Sequence, residues 1–279
     1  MLKPYLKWAG GKRQLLPEIK KHLPKEIHDY IYYEPFVGAG AVFFDLQPQK
    51  AVINDSNAQL MLTYNVIRET PGDLIVLLKK HQKMNDREYY YKIRNIDRDP
   101  EEFDALTDVE KAARLIFLNK TCFNGLYRVN SRGQFNVPCG KYKNPAIFDE
   151  PLLRQISAYL NSGEVTVLSG DFEYAVSTAG KNSFIYFDPP YYSPDKTKFT
   201  GYQADGFYAA EHERLREVMV EMTKRGVKCL LSNSDTAFIR KLYSHNFFKI
   251  ITVQAKRPIN SDSAGRGMVN EILVKNWKD

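Results

Sequence analysis

The chain has 279 residues, with 40 Lys and Arg against 33 Asp and Glu, a formal net charge of +7. Hydrophobic residues make up 43% and charged residues 26%, ordinary globular values that exclude a mostly disordered or collagen-like chain. No apolar run approaches the ~18 residues a membrane span needs, and residues 1–5 lack the hydrophobic stretch of a secretory signal, so a cytoplasmic protein without membrane contact is expected.

Lys7-Trp8-Ala9-Gly10-Gly11-Lys12 has the outline of a phosphate loop but not its G-x-x-x-x-G-K-[ST] spacing, since Arg13 stands where Ser or Thr should. A turn before a helix starting near Arg13 is the plainer reading. Residues 29–34 predict a short aromatic strand, and Pro35-Phe36-Val37-Gly38-Ala39-Gly40 turns from it into a helix over 41–46. This is a G-x-G without the third glycine of the dinucleotide fingerprint, because position 43 is Phe. A second strand over 51–54 ends at Asp55. A carboxylate at that point can accept hydrogen bonds from both hydroxyls of a ribose, so the pair of features favours a nucleoside cofactor.

Helical patterns follow over 58–68, 72–82 and 109–120, the last placing Ala112, Leu115, Ile116 and Leu118 on one side. From Lys111 to Phe148 there is no Asp or Glu, while Lys111, Arg114, Lys120, Arg128, Arg132, Lys141 and Lys143 are interleaved with Phe117, Phe123, Tyr127, Phe135, Tyr142 and Phe148. Cations alternating with rings suit a nucleic-acid surface. Residues 129–135 within this stretch have the shape of a β-hairpin.

After Asp149 the α/β alternation resumes. Strands are predicted over 164–168 before Gly170-Asp171 and over 183–187 before Asp188. A helix over 209–224, a strand over 227–231, a helix over 235–243 and two strands over 247–254 and 269–275, read as antiparallel, complete the chain. Ser232-Asn233-Ser234-Asp235 resembles a strand end leading into a helix cap. The alternation implies a mostly parallel sheet covered on both faces, interrupted by an insertion. The predicted division is a catalytic domain of residues 1–55 and 145–279 and a target-recognition domain of residues 56–144. Gly38, Gly40, Asp55, Asp171 and Asp188 all lie at predicted strand carboxyl ends, where α/β sheets bind ligands.

Asp188-Pro189-Pro190-Tyr191 is the most informative tetrapeptide. The prolines fix the backbone and remove two N–H donors, leaving carbonyls beside a carboxylate. Such an acceptor pair followed by a ring suits an amino group on a planar base. Residues 192–201 read equally as a cover over that base or as a surface loop, and residues 261–267, with Arg266, as a second polar loop. The three Cys and five His show no metal-ligand or disulfide spacing, and no metal is expected.

Taken together these motifs resemble the Dam-type DNA adenine-N6 methyltransferases, and especially DpnM-like members of restriction–modification systems. The resemblance spans nearly the whole chain, in the family's motif order. It includes Asn124-Gly125-Leu126-Tyr127-Arg128 and Gln134-Phe135-Asn136-Val137-Pro138, which match the target-recognition region. It implies a Rossmann-like α/β fold with an inserted helical and hairpin module, and transfer of methyl from S-adenosylmethionine to adenine of a flipped base in double-stranded DNA containing GATC. Trp8, Lys12, Phe36, Gly38, Gly40, Asp55, Asp171, Phe172 and Asp188 would bind the cofactor. Asp188, Pro189, Pro190 and Tyr191 would be catalytic. Asn124, Leu126, Arg128, Pro138, Lys141 and Tyr142 would contact DNA, Lys141 standing where relatives often carry Arg and so keeping the charge but not the bidentate fork. A cognate endonuclease acting on the same site without direct contact is the partner such a system implies. The competing classes are a nicotinamide-dependent oxidoreductase, disfavoured by the missing glycine, a non-enzymatic nucleic-acid binder, and a methyltransferase acting on RNA or a protein amide.

Overall fold

The computed structural model describes residues 2–8, 10–194, 207–256 and 268–278. Its strands are β1 (Ile31–Glu34), β2 (Lys50–Asp55), β3 (Glu164–Ser169), β4 (Ser183–Phe187), β5 (Lys228–Ser234), β6 (Lys249–Lys256) and β7 (Met268–Lys275). They form one sheet in the spatial order β3-β2-β1-β4-β5-β7-β6. The first five run parallel, and β7 lies antiparallel between β5 and β6. The chain builds outward from β1 to β3 and then returns to place β4 on the other side of β1. A crevice therefore opens beyond the carboxyl ends of β1 and β4, where the order reverses.

Strict alternation splits the strand side chains between two cores. Tyr32, Phe184, Tyr186 and Leu230 face one, while Tyr33, Ile185, Phe187 and Leu231 face the other. A continuous apolar run such as 183–187 is what a central strand buried on both faces requires.

The helices are α1 (Leu16–Lys21), α2 (Ala41–Leu46), α3 (Ala58–Glu69), α4 (Pro71–Lys83), α5 (Arg87–Asn95), α6 (Pro100–Asp104), α7 (Asp108–Thr121), α8 (Glu150–Ser162), α9 (Phe172–Ala175), α10 (Ala209–Lys224) and α11 (Ala237–Leu242). Buried residues of α3, α4, α7 and α8 join the first core, and those of α9, α10 and α11 the second. Residues 56–144 thus share a core with the sheet. Helix α7 starts at a Thr107–Glu110 capping box and is buried all round from Ala112 to Asn119, not on the one predicted side. Helices α3, α4 and α5 all pack on it, and its buried Arg114 and Asn119 are held by polar partners.

Several predicted boundaries shift. The chain makes a 3₁₀ turn over Ile27–Asp29, so β1 begins at Ile31. Likewise a 3₁₀ turn over Lys12–Gln14 delays α1 to Leu16. Strand β5 continues to Ser234, and Thr236, through its hydroxyl on the Ile239 N–H, caps α11. The predicted hairpin is reduced to a single antiparallel bridge between Val129 and Phe135. Its turn is fastened by the Asn130 side chain, whose oxygen accepts the N–H groups of Arg132 and Gln134, each at 3.0 Å. The two final strands are antiparallel, as predicted. No helix among the described residues is long and apolar enough to cross a membrane. The loop readings for residues 195–201 and 261–267 lie outside the described residues.

Candidate active site

The turn after β1 is built around two glycines. Gly38 has φ +51°, and a Cβ there would come within 3.0 Å of the Trp8 ring, so only glycine lets the indole close over this turn. Gly40 has φ +76°, and its Cβ would meet Phe44 and the Tyr64 hydroxyl at 2.8 Å. Gly40 therefore serves the packing of α2 and α3 under the turn, and Gly38 the close approach of Trp8 on its other side. The Tyr64 hydroxyl donates to the Gly38 carbonyl at 2.9 Å.

Asp55 stands at the end of the neighbouring strand. The Gly38 N–H donates to its Oδ2 at 3.1 Å and the Asn57 N–H to its Oδ1 at 2.9 Å. Burial pushes this carboxyl up to about 6, and the two backbone donors work against that rise. Each oxygen keeps a lone pair for a further donor. Asn54 ties the strand ends together, donating to the carbonyls of Pro35 and Gly170 at 3.0 Å.

On the third strand end, Asp171 caps α9 through the Glu173 N–H at 2.9 Å and is ion-paired to Arg214. The Arg214 guanidinium also lies 4.3 Å from the centre of the Phe172 ring. Phe172 leans on Phe36 at 5.2 Å between centroids, so the two rings predicted to flank a cofactor are neighbours across the crevice mouth.

Asp188 follows β4. Its Oδ1 accepts from the Lys12 ammonium at 2.7 Å and from the Ser232 hydroxyl at 2.8 Å. Ser232 has one hydroxyl proton, so at 3.0 Å it is the Tyr186 phenol that donates to Ser232 Oγ. Both donors converge on Oδ1, and among the described residues Oδ2 has no hydrogen-bond donor. Burial raises the Asp188 carboxyl above its ordinary range, while Lys12 and Ser232 pull it down. Nearby Glu34, 2% exposed and bonded to the Tyr32 phenol at 2.6 Å, is pushed well up, chiefly by burial.

Lys12 also donates to the Gly10 carbonyl at 2.8 Å and lies 4.5 Å from the centre of the Tyr191 ring. The 7–12 segment is thus neither a phosphate loop nor a bare turn: its lysine clasps the catalytic-turn candidate. The Tyr191 phenol donates to Glu271 Oε2 on β7 at 2.8 Å. Asn233 Oδ1 accepts the Tyr192 N–H at 3.1 Å, and the Ser234 hydroxyl donates to the Tyr192 carbonyl at 2.7 Å. The 232–235 segment, read from sequence as a strand end leading into a helix cap, is that strand end, β5 running to Ser234 with the cap following at Thr236, and it also holds the turn after β4. Asn233 also faces His212, whose imidazole burial depresses to about 4. Ser232, Asn233 and Glu271 carry no sequence signal of this role beyond being polar at the end of apolar strands.

The acid-free stretch divides sharply. Arg114 is 2% exposed and pairs with Asp97 at 2.8 Å inside the core, and Phe117, Tyr127 and Phe135 are buried. None of these four belongs to a nucleic-acid surface, which corrects the reading of the whole stretch as one. What remains outside is Phe123, Asn124, Arg128, Arg132, Pro138, Lys141, Tyr142 and Lys143, all exposed. Leu126 is half-buried against the core. Arg128 Nε donates to Asn136 Oδ1 at 2.7 Å, across the two arms of the turn. The Lys7 ammonium lies 4.4 Å from the Tyr142 ring centre, and buried Asn119 accepts the Lys7 N–H and donates to the carbonyls of Lys7 and Gly125. Trp8 stacks on Tyr127 at 5.3 Å. One short segment, residues 7–12, therefore touches the glycine turn, the Asp188 turn and the exposed basic face.

Residues 8–259 match a protein family described as D12 class N6 adenine-specific DNA methyltransferase. The chain is 45% identical over 277 residues to the type II methyltransferase M1.LlaDCHI of Lactococcus lactis subsp. cremoris, covering 99% of this chain and 96% of that one. It is 42% identical over 297 residues to the type II methyltransferase M.MjaIII of Methanocaldococcus jannaschii, covering 99% of both. To the DNA adenine methylase of Salmonella typhi it is 33% identical over 274 residues, covering 97% of this chain and 94% of that one.

Proposed function

The chain belongs to the D12 class of N6 adenine-specific DNA methyltransferases, and on that premise we propose that it carries a methyl group from S-adenosylmethionine to the adenine amino group of duplex GATC, with the target base turned out of the helix. The observation that carries this reading is the Asp188 carboxylate, whose Oδ1 is saturated by Lys12 and Ser232 while Oδ2 is left to accept. In the proposed division of labour, residues 1–55 and 145–279 perform the transfer and residues 56–144 read the duplex. Its type II relatives support a role beside an endonuclease that cuts the same sequence without touching this chain.

The crevice suits the cofactor. Asp55 keeps lone pairs for two ribose hydroxyls, Gly38 lets the turn approach closely beneath the Trp8 indole, and Phe36, Phe172 and Asp171 offer rings and an acceptor for an adenine. Trp8 and Lys12 complete the surround, and Gly40 supports it from below. S-adenosylmethionine, when bound, supplies a methyl already activated on sulfur, so no nucleophilic side chain is called for. The work of the chain is on the acceptor side. The adenine amino lone pair is delocalised into its ring. Hydrogen bonds from that amino group to Asp188 Oδ2 and the Pro189 carbonyl favour a pyramidal nitrogen and stabilise positive charge growing on it. The proton can leave afterwards, so Asp188 does not have to deprotonate a neutral amine. Pro189 and Pro190 hold this acceptor pair still, and the Tyr191 ring receives the face of the base. Extruding the base from the duplex costs a few kcal/mol, which stacking and these bonds offset.

Asp55→Ala is expected to weaken S-adenosylmethionine by roughly 1.5–3 kcal/mol, the worth of hydrogen bonds to a charged acceptor. Duplex affinity should change little. Because burial pushes the Asp55 carboxyl up to about 6, cofactor affinity of the unmodified chain should fall as pH drops from 7.5 to 5, and the mutant should lose this dependence. Equilibrium titration at both pH values decides it. A folded mutant with an unchanged dissociation constant would remove Asp55 from the site.

The test of substrate is transfer of labelled methyl to duplexes with GATC and with single changes in it. Arg128 supports the specificity reading, since Asn136 braces its Nε and its Nη1 makes no bond within the described residues. A fork aimed at guanine O6 and N7 discriminates by about 1–3 kcal/mol, whereas a phosphate contact weakens all sequences alike. Arg128→Ala should therefore narrow the preference for GATC over guanine-altered sites by that amount. Lys141→Ala should lower binding to every duplex and flatten its salt dependence. Equal transfer to all duplexes by the unmodified chain would refute GATC.

A further inference from the structure

Tyr191 is gripped from outside its own turn. Its phenol donates to Glu271 Oε2 at 2.8 Å, and Glu271 is 8% exposed. In the sheet register Glu271 stands opposite Ser234 of β5 and Val253 of β6. Because β7 runs against the parallel strands, its amino-terminal half lies beside their carboxyl ends. This reversal is what places Glu271, rather than the carboxyl-terminal residues of β7, at the rim where Asp188 stands. Among the described residues, the charged groups facing the phenol ring are Asp188, Glu271 and Lys12, the last lying 4.5 Å from the ring centre.

We propose that Glu271 is a positioning residue for the flipped base: by accepting the Tyr191 phenol it fixes the plane of the ring on which the base stacks. A tyrosine ring has two side-chain torsions, and a ring left free would have to be ordered each time a base arrives. Two successive prolines fix the backbone before it, and the phenol bond fixes its far end. Stacking then begins from a surface already in place, and the acceptors at Asp188 meet the amino group in register. Burial, with Asp188 and Glu271 adding to it, keeps the phenol a neutral donor. This inference rests on the base-flipping methyltransferase reading above.

The experiment is a double-mutant cycle in the full chain with Glu271→Ala, Tyr191→Phe, both together, and Glu271→Gln. Two signals are read: labelled methyl transfer to a GATC duplex, and fluorescence of 2-aminopurine at the target position, which rises on unstacking. Glu271→Ala and Tyr191→Phe should each lower kcat roughly 10- to 100-fold, as a hydrogen bond to a charged group is worth. Each should reduce the fluorescence rise, leaving KM for S-adenosylmethionine within about twofold. The double mutant should be no worse than the worse single one, and Glu271→Gln, which keeps an acceptor oxygen, should regain most of the loss. Multiplicative losses, an undiminished fluorescence rise, or a folded Glu271→Gln as impaired as Glu271→Ala would overturn the proposal. If Glu271→Ala does not fold, Tyr191→Phe breaks the same bond from the other side. An unmodified chain that methylates no adenine duplex would sink the function reading, whereas an active one with multiplicative losses sinks only this inference.

Discussion

Asp188→Ala is expected to lower methyl transfer at saturating cofactor by about 10²-fold or more, the usual consequence of removing a preorganised charged contact to developing charge. On the proposed reading the substitution removes the carboxylate that meets the adenine nitrogen, whose Oδ1 is taken by Lys12 and Ser232 and whose Oδ2 has no donor among the described residues. It also leaves the Lys12 ammonium, 8% exposed, with the Gly10 carbonyl and the Tyr191 ring as its remaining partners. Duplex binding should survive, because the exposed basic face is built from other residues. Single-turnover transfer and gel-shift affinity, measured on the same preparation, separate the two. A mutant keeping more than about a tenth of the rate would show that Asp188 is not the acceptor.

Arg114→Ala is expected to destabilise the fold by about 3–5 kcal/mol, the range for breaking a buried ion pair from one side. Arg114 pairs with Asp97 Oδ2 at 2.8 Å and donates to the carbonyls of Ile93 and Arg94 at 2.9 and 2.8 Å. The same Asp97 oxygen accepts the Phe135 N–H at 2.7 Å, so the pair anchors the turn that presents Arg128. Alanine leaves a buried carboxylate and two carbonyls without their donor. Arg98, already on Asp97 Oδ1 at 3.1 Å, recovers a part of this. Thermal unfolding should shift down by roughly 10 °C for a chain of this size. The salt dependence of duplex binding, measured well below the transition, should stay the same. A loss under about 1 kcal/mol together with a shallower salt slope would return Arg114 to the DNA surface.

The strands and their terminal motifs were legible because central parallel strands announce themselves as short apolar runs ending in a glycine turn or an acid. Asp55, Asp171 and Asp188 lie at one rim because parallel strands share a direction. Local charge was a poorer guide. Arg114 and Lys141 look alike in sequence, yet one is neutralised by Asp97, a residue 17 positions earlier that lies outside the acid-free stretch. Aromatic residues at 117, 127 and 135 are as suited to a core as to a base, and only packing decides. Helix α8 carries a plain signal, with an Asp149 cap, Pro151 in the first turn and Leu152, Leu153, Ile156 and Leu160 at helical spacing. A reading guided by strand ends passes over it. Arg87–Asn95 is harder, since three consecutive tyrosines blur its period. Ser232, Asn233 and Glu271 could not be seen, because each acts on a residue about 40 to 80 positions away, and the β5 boundary that sets two of them was placed too early.

Strand β7 is synthesised after β6 yet lies inside it, and this imposes an order on assembly. While β6 alone has emerged, the open edge of β5 is available to it, and pairing there would shut β7 out of its place. The native arrangement needs β6 to wait for β7 and dock as a preformed ribbon, or to arrive second. The rim around Asp188 is therefore finished late in folding, since Glu271 reaches Tyr191 only once that ribbon is seated. A nascent chain that has completed β1 to β5 already holds the glycine turn, Asp55 and Asp188 but leaves the Tyr191 phenol without Glu271. Long-range closure of this kind is slow and leaves a strand edge exposed meanwhile, so aggregation during expression would be expected to begin at β5.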